Sequence, residues 1–339
     1  MLVPLGAQED EAISISCWPV RAQRHVGLRL DNVRWSQQLE NSSSPWWANQ
    51  LIVPLLVSII VSLTTSALAY QFEKRSHARQ LNEEYVHGQL AEFRERVTLQ
   101  KAAYLEAAEL LSDRISNFYR NGERGWLAID YSQRNYGYYM YSFAYRILSL
   151  LCVCYQIERD ANFARIVAAS EKDHGLRVAA KLQIAVWTRA SLFDGLSYDD
   201  ENAKDHFYRD SLGDVACLLG EISSRTPVSA FRALAPNDEH AYREMFDFLD
   251  NLTPNEHDRY RFDRLVAVHL VTLATMTRFG DALQRSNYDE LCRIAERCQR
   301  ATVLEQVSKL VVSLGVHDEI GYSDLMRALR DVTRDRDQE

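Results

Sequence analysis

One stretch constrains this chain before any other. No Asp, Glu, Lys or Arg occurs between Glu40 and Glu73, and inside that gap runs LIVPLLVSIIVSLTTSALAY, residues 51–70. A helix of that length spans about 30 Å, the hydrocarbon thickness of a bilayer. Trp46 and Trp47 precede the run and Tyr70 and Phe72 close it, the placement of aromatic side chains at a membrane interface. Lys74, Arg75 and Arg79 follow at once, whereas residues 36–50 contain no Lys or Arg. Basic residues favour the cytoplasmic side of a span. The expectation is therefore a single pass through the inner (plasma) membrane, with the N-terminus outside and the C-terminal domain in the cytoplasm. Ala67-Leu68-Ala69 looks like a signal-peptidase site, but the apolar run starts far from residue 1 and has no basic leader.

Within the run, Pro54, Ser58, Ser62 and Ser66 recur every four residues. Small residues at that spacing let helices approach closely and hydrogen-bond across the contact. Self-association into a homo-oligomer is the reading this favours, with a hydroxyl-lined pore as its sharper form. The alternative is an anchor whose Ser and Thr side chains bond back to their own helix. Pro54 sits near the first turn of the run, where a missing N–H costs little.

The rest of the chain reads as helix. Residues 1–45 show no sustained period and end in the turn-like Asn41-Ser42-Ser43-Ser44-Pro45, so they are read as a poorly ordered tail. Residues 46–72 form the transmembrane helix with its flanks. Over 73–122, Leu90, Phe93, Val97, Tyr104, Ala108, Leu111, Ile115 and Phe118 fall three or four apart, save for a two-turn step of seven from Val97 to Tyr104, opposite charged Arg94, Glu95, Arg96 and Lys101. That stripe predicts an amphipathic stalk helix, closed at Asn121-Gly122, that packs on its own domain or on a partner helix. Residues 123–339 predict a helical bundle, because 7 Pro and 13 Gly in 339 residues leave few turns. Tyr138–Glu158 is apolar nearly all round but carries Arg146 at mid-run. In a bilayer that Arg costs about 2.5–3.5 kcal/mol, so a central bundle helix is the better assignment. Further helices are expected at 159–171, 175–192, 198–223, 238–251, 254–280, 286–315 and 323–335. Thr253-Pro254-Asn255-Glu256 has the form of a capping box at the start of one of them. The fold class is all-α: one transmembrane helix, a stalk and a multi-helix cytoplasmic bundle.

Charge excludes some partners. The net charge is -8, and residues 71–339 carry 35 Lys+Arg against 42 Asp+Glu. A nucleic-acid binder shows a basic excess or stripe, and neither is present. The six cysteines include no tight ligand set, so reduced, buried thiols are expected and no cofactor is implied. Dinucleotide, phosphate-loop, zinc-protease and serine-hydrolase motifs are all missing.

Three clusters remain as candidate chemistry. Tyr136, Tyr138, Tyr141, Tyr145 and Arg146 have the composition of a binding hot spot and mark a partner or ligand surface, or else pack the central helix. Asp199, Glu201, Asp205 and His206 gather acid and imidazole, with Glu201 and Asp205 on one face of the expected 198–223 helix. They suit a divalent cation, or simply the positive end of a helix. Arg264 and His269 have the Arg-x4-His spacing of RLVAVH. Over those six residues the chain resembles the signature of HEPN ribonucleases, with Leu265 where a polar residue is common. The resemblance implies a helical RNA-cleaving site in which the arginine steadies phosphate charge and the histidine moves a proton. The structural reading makes His269 a packed core residue and Arg264 an ion-pair partner of Asp263 or Glu256.

The leading functional reading is non-enzymatic: a membrane-anchored interaction module with a protein partner, acting through oligomerisation. Its layout resembles that of anchored effectors in bacterial immune (anti-phage) operons, in which a soluble helical part senses and the membrane part perturbs the bilayer. The alternatives are a membrane-tethered ribonuclease using Arg264 and His269, and a passive membrane scaffold.

Overall fold

The computed structural model describes residues 46–129, 137–164, 171–198, 205–221, 228–235, 239–256, 259–336 and 338. Among them every regular element is helical, and no strand occurs. The helices are α1 (Trp46–Asn121), α2 (Tyr138–Ala164), α3 (Glu171–Thr188), α4 (Arg209–Glu221), α5 (Val228–Leu234), α6 (Glu239–Leu249), α7 (Arg261–Phe279), α8 (Tyr288–Ala295), α9 (Ala301–Ser313) and α10 (Tyr322–Arg336). Short 3-10 turns follow α1 and α3. The chain divides into two units at Arg75/Ser76.

The first unit contains the apolar run, and its described side chains are exposed throughout. By length and composition alone, Ile52–Leu81 is long and apolar enough to cross a membrane, and none of its most apolar window is buried. Thr64 and Thr65 donate their hydroxyls to the carbonyls of Ile60 and Val61 at 2.7–2.9 Å, so the helix satisfies them internally.

The second unit is organised around two buried helices. α2 packs against α3, α4, α5 and α6, and α7 packs against α3, α8, α9 and α10, so α3 belongs to both groups. Tyr138–Asp160 also meets the length and composition test for a span, but two-thirds of its window is buried inside the protein (67%). Ile147, Leu148, Leu150 and Leu151 are all in the core. α7 is buried from Arg261 to Thr277. The C-terminal half of α1 joins both groups. Its Tyr104, Ala108, Leu111, Ile115 and Phe118, one stripe at helical spacing, are buried. On one side α1 lies antiparallel to α2: Tyr139 donates to Asn117, Arg114 to Ser142 and Arg146 to the Leu110 carbonyl. On the other side Ser112 meets His269 of α7.

Several helix boundaries differ from those read in the sequence. The 254–280 helix begins instead at Arg261, and Pro254-Asn255 form a turn. The capping box does not form, because Glu256 is taken by Arg261. Arg261 in turn donates to the carbonyls of Phe248 (2.7 Å) and Asp250 (2.8 Å), capping the end of α6. The expected 286–315 helix is two helices, α8 and α9. The break is held by the buried Asp263 carboxylate, which accepts from the Gln299 backbone N–H at 2.6 Å and from Arg300 at 2.7 Å. α8 starts one residue later than Ser286 suggested, with the Asn287 side chain accepting from Glu290 N–H at 2.8 Å. Gly321 opens α10 with φ +85°, and a Cβ there would lie 2.4 Å from the Ala274 carbonyl, so only glycine lets this corner meet α7.

Candidate functional site

Placing the sequence-derived candidates sorts them into core, surface and undescribed positions. Arg264 and His269 both lie inside the body, each with its own partners. Arg264 is fully buried and donates to the carbonyls of Val186 and Trp187 at the end of α3, with Nη2 at 3.4 Å from the Tyr198 hydroxyl. Its guanidinium carbon stands 4.8 Å from the Phe193 ring centroid. This corrects its assignment as an ion-pair partner: Asp263 goes to Arg300 and Glu256 to Arg261. A cation donating to the last carbonyls of a helix opposes the negative end of the helix dipole, which supplies the attraction a carboxylate would otherwise give. His269 is hydrogen-bonded to Ser112 Oγ at 2.9 Å through Nε2 and to the Tyr119 hydroxyl at 3.3 Å through Nδ1. Burial, with Arg297 adding to it, pushes its pKa down to about 3, so the imidazole is neutral at physiological pH. Neither side chain faces solvent, so the pair has no surface at which to meet a nucleic acid.

Of the acidic cluster, Asp205 and His206 lie in the turn ahead of α4 rather than on a helix face. Asp199 and Glu201 lie outside the described residues, and α4 begins only at Arg209. Asp205 is bound by Arg259, with Nε at 2.6 Å, and Arg261 Nε stands 3.9 Å away. His206 lies with its Nδ1 3.4 Å from the Tyr198 hydroxyl, which itself donates to the Asp205 carbonyl. Two arginines thus supply the positive charge that a cation would have brought. Among the described residues no group of three or more His, Cys, Asp and Glu could hold a metal ion. The cysteine expectation also needs correction at two positions: Cys152, Cys154 and Cys298 are buried, but Cys292 is half-buried and Cys217 is exposed.

The Tyr/Arg cluster divides. Tyr136 lies outside the described residues. Tyr141 is core rather than surface, edge-on to Phe231 and Phe246 at 6.3 and 5.5 Å between ring centroids. Tyr138 is exposed, and Tyr145 and Arg146 are half-buried. What the sequence did not show is that α1 supplies the other half of this surface. Arg114 lies over the Tyr139 ring at 4.5 Å, Tyr139 packs on Trp126 at 5.1 Å, and Arg124 lies over Trp126 at 5.2 Å. Burial lowers the Arg146 pKa, and the neighbouring Arg114 lowers it further, so two guanidiniums sit near each other. Only the antiparallel pairing of α1 and α2 brings residues so distant in sequence together. The one signal available was the stripe that placed Arg114 one residue before Ile115, beside the buried face. This face is the strongest candidate for a binding surface on the body.

Of the residues in the apolar unit, Pro54, Ser58, Ser62, Ser66, Lys74 and Arg75 lie on exposed positions of α1. Trp46 and Trp47 open the same helix.

The chain matches no protein-family model, no curated protein and no solved structure.

Proposed function

We propose that this protein is a membrane-anchored helical interaction module whose span inserts in the inner membrane and self-associates, and whose cytoplasmic body binds a partner through its Tyr/Arg face. It has the layout of an anchored bacterial immune effector. One observation supports the reading above the others: the large apolar side chains from Ile52 to Leu68 are all exposed. Each apolar side chain left in water forgoes roughly 1.5–3 kcal/mol of transfer free energy, and a bilayer supplies that transfer for the whole run. The internal bonds of Thr64 and Thr65 leave the backbone and hydroxyls ready for lipid. Lys74 and Arg75 at its end support a cytoplasmic C-terminal side.

Carbonate extraction of bacterial membranes expressing the full chain tests the anchor. The protein should stay in the pellet, with a reporter at its C-terminus active only in the cytoplasm. Release into the supernatant overturns the reading. The effector role is tested by membrane-potential dyes: induction should depolarise cells, and Ser58→Leu with Ser62→Leu should suppress this. No depolarisation would leave an anchored scaffold.

A further inference from the structure

The seam between α1 and α2 carries more than an aromatic surface. Ala103, Ala107 and Leu110 of α1 line a groove of about 120 Å³ together with Cys152 and Val153 of α2 and Leu219 of α4. Arg146 lines the same groove and donates to the Leu110 carbonyl at 2.9 Å, which places it at the groove's Leu110 end. Arg114, one turn further along α1, donates to Ser142 Oγ at 2.7 Å and keeps a buried Nε with no partner. Among the described residues neither guanidinium forms an ion pair. A half-buried pair of like charges with spare donors is unfavourable alone and favours an anion between them. Cys152 is no competing nucleophile: burial pushes its thiol up to about 11.

We propose that this groove binds a single-chain anionic amphiphile, a long-chain fatty carboxylate, with the acyl chain against Ala107, Leu110 and Val153 and the carboxylate between Arg114 and Arg146. The apolar lining selects the chain, and the planar guanidiniums fit a carboxylate through paired N–H donors. At about 120 Å³ the groove encloses less than the ~150 Å³ that holds a benzene, so only the methylenes next to the carboxylate are enclosed, the rest of the chain leaves along the open seam, and a second phospholipid chain has no place beside it. Asp113 lies near Arg146 and Glu106 lines the groove, so the local charge balance suits a monoanion better than a phosphate dianion.

Photolabelling of the full chain in its native membranes tests this, using a diazirine analogue of palmitic acid and mapping adducts by mass spectrometry. Adducts should appear on the peptides containing Leu110 and Val153. Arg114→Gln and Arg146→Gln should each reduce them by about tenfold, the weight of a charge-assisted contact. Adducts on residues 52–70, which any membrane probe reaches, should not change. The corresponding fatty-alcohol analogue needs no variant and should label the groove about tenfold less than the acid. Val153→Trp, which fills the groove, should abolish the groove adducts without changing those on 52–70. Adducts confined to 52–70, equal labelling by the alcohol, or stronger labelling by a lysophosphatidate analogue would each overturn the assignment.

Discussion

Two helical stretches of this protein look alike by composition and live in opposite surroundings. Ile52–Leu81 and Tyr138–Asp160 are both, by length and composition, long and apolar enough to cross a bilayer, the apolar part of the first being residues 52–72. The first is exposed on every described side chain, while the second is buried among α3, α4, α5 and α6. What separates them is how each deals with its polar groups. In the first, Thr64 and Thr65 are satisfied within their own helix. In the second, Tyr139 and Arg146 donate to α1 and Ser142 accepts from Arg114 of α1. Apolar length does not distinguish the exposed stretch from the buried one; polar side chains bonded across to a neighbouring helix do.

The largest test of that contrast places the same charge in each stretch. Leu56→Arg with Ile60→Arg should cost about 5–7 kcal/mol of insertion and move the protein out of the carbonate-resistant membrane fraction. Leu148→Arg, buried in α2, should leave an unpaired charge in the core at a cost of about 5 kcal/mol, a large share of a domain's total stability. Circular dichroism of the purified chain should then show a body unfolded or melting far lower. If Leu148→Arg instead weakened membrane association and left the body folded, the assignment of the two stretches would be reversed.

Arg264→Leu sharpens the comparison from inside the body. It removes the donors that cap α3, leaving the Val186 and Trp187 carbonyls unsatisfied in the core. A loss of about 3 kcal/mol in denaturant unfolding is expected, with no change in membrane retention. A neutral result would show that the buried arginine does not hold the α3–α7 junction.

His269 gives the next largest effect, and it depends on pH. Unfolded, its imidazole takes a proton near 6.5; folded, only near 3. The unfolded state therefore binds the extra proton across this window, and stability falls as pH drops from about 6.5 towards 3. The loss is about 1.4 kcal/mol per pH unit, or roughly 2 kcal/mol at pH 5. Unfolding midpoints at pH 7 and pH 5 measure it, and His269→Gln, with no proton to gain, should flatten this part of the pH dependence. An unchanged slope in the variant would mean that His269 is reached by solvent.

How much of this was legible in the sequence depends on the range of the interaction that decides each feature. The all-helical fold follows from local pattern, as does the stripe from Tyr104 to Phe118 that seats α1. Arg146 marked α2 as a core helix through its cost in lipid. The start of α7 was misread because the Thr253–Glu256 pattern is local, whereas Glu256 is claimed by Arg261 and Arg261 by the end of α6. The break between α8 and α9 depends on Asp263, far away in sequence. Arg264 stands out in the sequence only by its spacing to His269, yet its partners are backbone carbonyls of α3, which no side-chain pattern announces. The Arg114–Tyr139–Arg146 face failed to show for the same reason: half of it comes from another helix.

The smallest predicted effects return to the two stretches through single hydroxyls. Ser142→Ala in α2 removes a buried partner that accepts from Arg114 at 2.7 Å, and should cost about 1–2 kcal/mol in unfolding of the body, because the guanidinium loses an acceptor inside the protein. Thr65→Val removes a hydroxyl that only bonds back to Val61 at 2.7 Å. The carbonyl it releases already accepts in the helix ladder, so membrane retention should change by less than about 0.5 kcal/mol. Equal effects at the two positions would mean that the 52–72 helix uses its hydroxyls between helices, as a packed oligomer does, and that the contrast between the stretches lies in the partner rather than in the polar chemistry.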